Sequence, residues 1–256
     1  MRWVLALGVI QGLTEFLPIS SSGHLVVLKA WFGVASPGAA LEVALHAGTL
    51  VAVLWTYRQW LGTFIRKLVQ RVPAAWRLFW RLALASIPAG MVGLALDEWV
   101  GRFFTVGAVI LGWLGTSLLL FATPKPGEGE RRMEDMGPAH ALLIGLAQAM
   151  ALWPGLSRSG STIAMGRVCG LRPEDAARFS FLLAIPTILG ASILEAPALV
   201  QASIPSVWLI ISALLAAVTG AVAIQWVKGI VNRPRLWRGF GLYTALAALA
   251  AWFIGG

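Results

Sequence analysis

Two apolar stretches of this chain are each broken near the middle by a cluster of polar and turn-forming residues, and the two clusters match. The first runs from Gln11 to His24 and holds Glu15, Pro18, Ser20, Ser21, Ser22 and Gly23. The second reads Pro154-Gly155-Leu156-Ser157-Arg158-Ser159-Gly160-Ser161-Thr162. Shifted by 137 positions, Gln11 falls on Gln148, Ser20 on Ser157, Ser22 on Ser159 and Gly23 on Gly160, while Arg158 stands opposite Ser21. One copy carries a carboxylate and an imidazole, the other a guanidinium. A chain with these two breaks has few ways to fold unless the breaks meet.

The surroundings decide the solvent. The chain is 58% hydrophobic and 12% charged, whereas soluble domains carry roughly 25% charged residues. Its mean hydropathy is +0.79. It is an all-α polytopic membrane protein in this reading, with the first segment retained because no small-residue cleavage site precedes Glu15. The net charge of +9 belongs to cytoplasmic loops facing anionic lipid and not to nucleic-acid binding. A single cysteine, Cys169, excludes an internal disulfide.

A span needs about 20 mostly apolar residues. Six segments qualify, at roughly 38–57, 81–96, 103–121, 178–195, 205–227 and 236–254. The broken segments, about 1–30 and 139–170, read as re-entrant helical hairpins, because non-helical backbone at membrane depth survives only inside protein or beside a cavity. Loop charge sets the orientation. Arg58, Arg66, Lys67, Arg71, Arg77 and Arg81, without one acid, put the first long loop inside, as do Lys228, Arg233, Arg235 and Arg238 for the last. The loop 97–102, with Asp97, Glu98 and Arg102, then falls outside, and the linker 122–138, with Lys125, Arg131 and Arg132, inside.

Threaded this way, each half is a hairpin plus three transmembrane helices, and the halves have opposite orientation. This is an inverted-topology repeat, which puts a site at the midplane where the broken segments meet. The single membrane domain divides into halves of about 1–121 and 139–256 around a mobile linker at 122–138, with both termini on the periplasmic or extracellular side. The stretch 58–81, with Trp60, Phe64, Leu68, Val72, Trp76 and Phe79 among its cations, suits an amphipathic helix on the cytoplasmic leaflet.

Polar groups at this depth are expensive, so the clusters read as a functional site. Gln11 and Glu15 share a helix face and present oxygens suited to a hard divalent cation that completes its shell with phosphate. Arg158, the hydroxyls of Ser20, Ser22, Ser157, Ser159 and Thr162, and the turn at Gly160 make an oxyanion site that fits phosphate. Arg158 and Glu15 also make a structural ion pair in the plainer reading. Ser21 and His24 are three apart, so His24 activates Ser21, attacks by itself, or protonates a leaving group. His46, one turn after Glu42, reads as a packing histidine, and His140 as an interfacial one. The residues point to phosphoryl transfer on a lipid whose tail stays in the bilayer.

This combination closely resembles the undecaprenyl-diphosphate phosphatase family of the bacitracin-resistance type. Gln11 and Glu15 match its first motif, Ser21-Ser22-Gly23-His24 the tail of that motif, and Pro154 to Thr162 its second. The stretches Leu41 to Thr49, Ser86 to Gly90 and Phe179 to Pro186 add to the likeness. The resemblance implies a bacterial inner-membrane enzyme that hydrolyses undecaprenyl diphosphate to undecaprenyl phosphate and inorganic phosphate, recycling the cell-wall carrier and conferring bacitracin resistance. It also implies Mg2+ or Ca2+ held by Glu15 and Gln11, a diphosphate clamp at Arg158, and catalysis by Ser21 and His24. Many members have Glu where this chain has Gln11, so its metal site carries one charge fewer. Partners expected are the lipid substrate and the bilayer, with a homodimer compatible and no nucleic acid. The rival class is a lipid-phosphate flippase, which inverted repeats also serve. Type 2 phosphatidic-acid phosphatases need a histidine where this chain has Ala164. An intramembrane serine protease has no use for Glu15 and Arg158.

Overall fold

The computed structural model describes residues 2–31, 39–95, 103–124, 131–200 and 204–255. The expected outer loop with Asp97, Glu98 and Arg102, and Lys125 of the linker, lie outside them. The described residues form α1 (Arg2–Phe16), α2 (Ser21–Trp31), α3 (Ala39–Thr56), α4 (Arg58–Val69), α5 (Pro73–Ala95), α6 (Val106–Ala122), α7 (Pro138–Met150), α8 (Arg158–Val168), α9 (Pro173–Glu195), α10 (Pro197–Val200), α11 (Ser206–Ile230) and α12 (Pro234–Gly255). No strand occurs among them; the one β-bridge joins Arg131 to Leu171.

Both breaks fall where the Pro, Gly and Ser clusters demand. α1 stops at Phe16, just before Leu17-Pro18, because the proline ring and the steric demand it makes on its predecessor end a helix. α7 stops at Met150, before Pro154-Gly155, where Gly155 takes φ +87°. Each following helix is capped by the equivalent serine. Ser20 Oγ accepts from Gly23 N–H at 3.3 Å, and Ser157 Oγ accepts from Gly160 N–H at 3.1 Å.

Each of the six apolar segments contains a helix. α5, α9 and α11 are by themselves long and apolar enough to cross a bilayer, and α3 with α4 forms a pair bent by 74° at Tyr57. Two expectations change. α5 begins at Pro73, not near residue 81, so Trp76 and Phe79 belong to this long helix, and only α4 lies as a separate, unburied amphipathic helix. Arg71 (φ +56°) makes the turn between them. The linker is also more ordered than expected over 131–138. Met133 and Met136 are fully buried, and Arg131 exchanges backbone hydrogen bonds with Gly170 and Arg172 at 3.0 Å each.

Long helices cross between the halves. α1 packs along α11 and α7 along α5, while α3 meets α11 and α9 meets α5. α6 and α12 pack on one another. Exchange of the halves turns each of these pairings into another that is present. Where α1 meets α11, a Cβ on Gly12 would stand 2.0 Å from Thr219 Oγ and 2.4 Å from Ala216 O, so glycine sets the helix separation there. The main core gathers Phe16, Tyr57, Ile144, Ile163, Phe179 and Phe181 around the hairpin tips, with Phe16 edge-on to Phe181 at 5.6 Å. Transfer of such side chains out of water contributes little between lipid-exposed helices, so close packing and hydrogen bonds hold the hairpins in place.

Candidate active site

The two broken loops meet, and the freed backbone at each break is taken up by side chains. Leu17 O accepts from Ser159 Oγ at 3.0 Å, across the halves, and Ile19 O accepts from Trp113 Nε1 at 2.9 Å. On the other loop, Gly155 O accepts from Thr116 Oγ at 2.9 Å, and that oxygen in turn accepts from Ser157 N–H at 2.9 Å. Trp113 and Thr116 both lie on α6, which therefore fastens both tips. Gly112, on the same helix, admits the second loop: a Cβ there would sit 2.1 Å from Pro154 O. Ser20 adopts φ +66°, an uncommon backbone for serine. Its carbonyl accepts from His24 and its hydroxyl caps α2, so the neighbourhood offsets the strain.

At the contact lies a network centred on Glu15. Its Oε1 accepts from Arg158 Nη2 at 2.6 Å. Its Oε2 accepts from Ser21 Oγ at 2.6 Å and from Gln11 Nε2 at 2.9 Å. The carboxylate thus holds the nucleophile candidate on one side and the anion clamp on the other. The serines Ser20 and Ser22 approach to 3.1 Å, and Ser157 and Ser159 to 3.2 Å. Thr162, expected to bind diphosphate, is turned inward, with its Oγ 2.6 Å from Ser180 Oγ.

Beside the network opens a cavity of about 190 Å³. Glu15, Ser20, Ser21, Ser22, Ser157 and Arg158 line it, with His46, Gln148 and Thr187. Two side chains lack hydrogen-bond partners there. Arg158 Nη1 is buried and unpaired, and so are both amide atoms of Gln148, a residue only 2% exposed. Unpaired buried polar groups of this kind cost free energy unless a ligand or water meets them.

The two histidines stand differently toward the cavity. His24 is not among the residues lining the cavity. Its Nδ1 donates to Ser20 O at 2.7 Å, its Nε2 accepts from Tyr243 Oη at 2.7 Å, and its ring stacks on Tyr243. Both nitrogens are occupied, and His24 ties α2 to α12. His46 does line the cavity. Its Nδ1 donates to Glu42 O at 2.9 Å, so the neutral ring has its lone pair on Nε2. Neither His46 nor Gln148 was assigned to the site from sequence. The only signal for Gln148 was its register with Gln11.

The donor set bears on the expected cation. Among the described residues Glu15 is the only carboxylate lining the cavity, and its oxygens already accept three hydrogen bonds. Among the described residues no three His, Cys, Asp or Glu group together. Gln11 Oε1, however, is buried beside Glu15 without a partner. The set fits a cation that brings most of its oxygen shell as phosphate and water, and not one caged by protein alone.

Fold and site together define a polytopic α-helical membrane protein with a buried polar centre of carboxylate, guanidinium and hydroxyls between two broken hairpins. Its relatives make the class specific. The profile of the bacitracin resistance protein BacA family matches residues 4–250, and the chain belongs to that family. It is 40% identical over 250 residues to the undecaprenyl-diphosphatase of Thermomicrobium roseum, covering 89% of this chain and 88% of that one. Against the undecaprenyl-diphosphatase of Rubrobacter xylanophilus it is 40% identical over 263 residues, covering 96% and 95%. That of Alcanivorax borkumensis is 40% identical over 243 residues, covering 91% and 92%.

Proposed function

We propose that this protein is an undecaprenyl-diphosphate phosphatase of the bacterial plasma membrane, releasing inorganic phosphate and returning undecaprenyl phosphate to cell-wall synthesis. Bacitracin resistance, which the family's name carries, belongs to the same proposal. The observation that carries the reading is the Arg158–Glu15–Ser21 network, drawn from both hairpins and opening on one cavity. The inverted arrangement of the halves, supported by the paired helix contacts, belongs to the same proposal, as do termini outside, which rest on the loop charges.

In this mechanism Arg158 takes the terminal phosphoryl group with its unpaired Nη1 and releases Glu15 as it does so. Ser20, Ser22 and Ser157, at the starts of α2 and α8, surround the same oxygens with hydroxyls and amides. Ser21 Oγ attacks phosphorus. The bridging P–O bond breaks, its electron pair leaves on the lipid monophosphate, and the hydroxyl proton passes to Glu15, 2.6 Å away. Glu15 thereby takes the base role that the sequence suggested for His24. A Mg2+ or Ca2+ entering with the diphosphate, held by Glu15 and the Gln11 carbonyl, would neutralise phosphoryl charge. The relatives bear the name of a diphosphatase, and the flippase alternative is not carried further.

The test is phosphate release from undecaprenyl diphosphate by the detergent-purified protein, with Mg2+ or Ca2+ and then with EDTA. Release is expected to need the cation and to fall on the order of 100-fold or more in Arg158→Ala and in Ser21→Ala. A folded wild type that releases no phosphate refutes the proposal.

A further inference from the structure

Gln148, like His46 and Thr187, lines the cavity and has no part in the mechanism above. It sits on α7, two residues before the end of that helix, and is 2% exposed. Its counterpart Gln11 donates its amide NH2 to Glu15, four residues further along α1, and leaves only Oε1 unmet. Four residues beyond Gln148 stands Leu152, which offers nothing. Both amide atoms of Gln148 are consequently buried and unpaired while the residue lines the cavity with Ser21 and Arg158. A leucine there would cost less, since an apolar side chain leaves no donor or acceptor unmet.

An amide carries what a water in front of a phosphoryl group requires. Its oxygen accepts one of the water's hydrogens, and its NH2 donates to a phosphoryl oxygen. Phosphoryl-transfer sites use glutamine in this way to aim an attacking water. A carboxylate in the same place would repel the phosphate, and an ammonium would bind it without orienting the water. Gln148 also belongs to the half that carries Arg158, opposite the half that carries Ser21. It therefore reaches the cavity from a different wall than the serine whose phosphate must be released.

We propose that Gln148 positions the water that hydrolyses the phosphoseryl intermediate at Ser21, an inference that rests on the phosphatase reading given above. In that step the water oxygen bonds to phosphorus and the Ser21 Oγ–P bond breaks. The electron pair returns to Oγ, which recovers its proton from Glu15. The water's own proton passes to Nε2 of His46, the unoccupied imidazole nitrogen of the cavity. Inorganic phosphate leaves. Gln148 neither gains nor loses a proton; it holds the water in line.

The test uses Gln148→Leu, with Gln148→Met as a second variant should the branched side chain not fit. A water-positioning residue and a structural one predict opposite results. Removal of two unmet polar atoms is expected to raise the melting temperature in detergent by roughly 2–6 °C. In the same variant kcat is expected to fall on the order of 100-fold with KM little changed. Acid-quenched reactions with substrate labelled in its terminal phosphate are expected to accumulate label on Ser21, and Gln148→Leu combined with Ser21→Ala to carry none. Turnover within a few-fold of wild type, or a lowered melting temperature with KM and kcat both intact, overturns the inference. Loss of turnover without label on the protein overturns it too, since the water step would not then be the one impaired. Failure of the phosphatase reading itself looks different: the wild type would release no phosphate in the parallel assay.

Discussion

The ion pair between Glu15 and Arg158 joins α1 to α8 across the two halves, and breaking it from either side should have unequal consequences. The contact is 2.6 Å long, and the two side chains are 7% and 17% exposed. Removing one partner of a buried pair typically costs about 3–5 kcal/mol, because the other charge is stranded. In Arg158→Met the stranded group is Glu15, which keeps the hydroxyl of Ser21 and the amide of Gln11 as donors. Those two bonds and the partial exposure of Arg158 put the cost at the lower end, about 3 kcal/mol. At about 2–4 °C per kcal/mol for a chain of this size, the melting temperature should drop by about 6–12 °C. Replacing both partners, as Glu15→Gln with Arg158→Met, removes the uncompensated charge and should restore most of that loss. Activity should stay absent in the single and the double variant alike. The assay is thermal unfolding in detergent, followed by the emission of the thirteen tryptophans, with phosphate release run alongside. An Arg158→Met protein melting within about 2 °C of wild type, or a double variant no more stable than the single one, would refute the pair as a structural tie between the halves.

Three further outcomes are expected. Gly112→Ala places a methyl 2.1 Å from Pro154 O and should destabilise the protein by about 1–3 kcal/mol; phosphate release should fall with it, although no residue of the network has changed, and full activity at wild-type stability would show that the second loop tolerates displacement. His24→Gln should lower the melting temperature through loss of its two hydrogen bonds, worth about 1–2 kcal/mol together, with kcat within a few-fold of wild type. His46→Gln should do the reverse, costing on the order of 100-fold in kcat with stability nearly unchanged; the opposite pattern would return the acid–base role to His24.

Much of this site was legible in the residue order, because the signals are local and costly. Glu15 and Arg158 stand in apolar segments where a charge needs a partner, Pro18 and Pro154 fall in Gly/Ser-rich clusters that break a helix, and Ser20 and Ser157 are capping residues three positions before a free amide. The equality of the two caps follows from the shift of 137 positions. The six apolar segments likewise announce their helices. Less legible was the ordering of 131–138, which depends on Met133 and Met136 finding a buried place beside Leu171. The start of α5 was hidden by the cations before residue 81, which read as loop although Pro73 is well suited to the first turn of a helix.

The sequence alone determined that two polar breaks had to be buried in protein and had to face each other, since lipid satisfies neither a charge nor a free carbonyl. It did not determine which side chains would share the cavity between them. His24 and His46 are equally polar and equally close to a motif, yet one turns to Tyr243 and the other lines the cavity. That choice, like the exposure of Gln148 to the cavity, rests on how each helix is rotated about its own axis. Rotation is set by close contacts such as Gly12 on Ala216 and Gly112 on Pro154, which arise only when distant parts of the chain pack together.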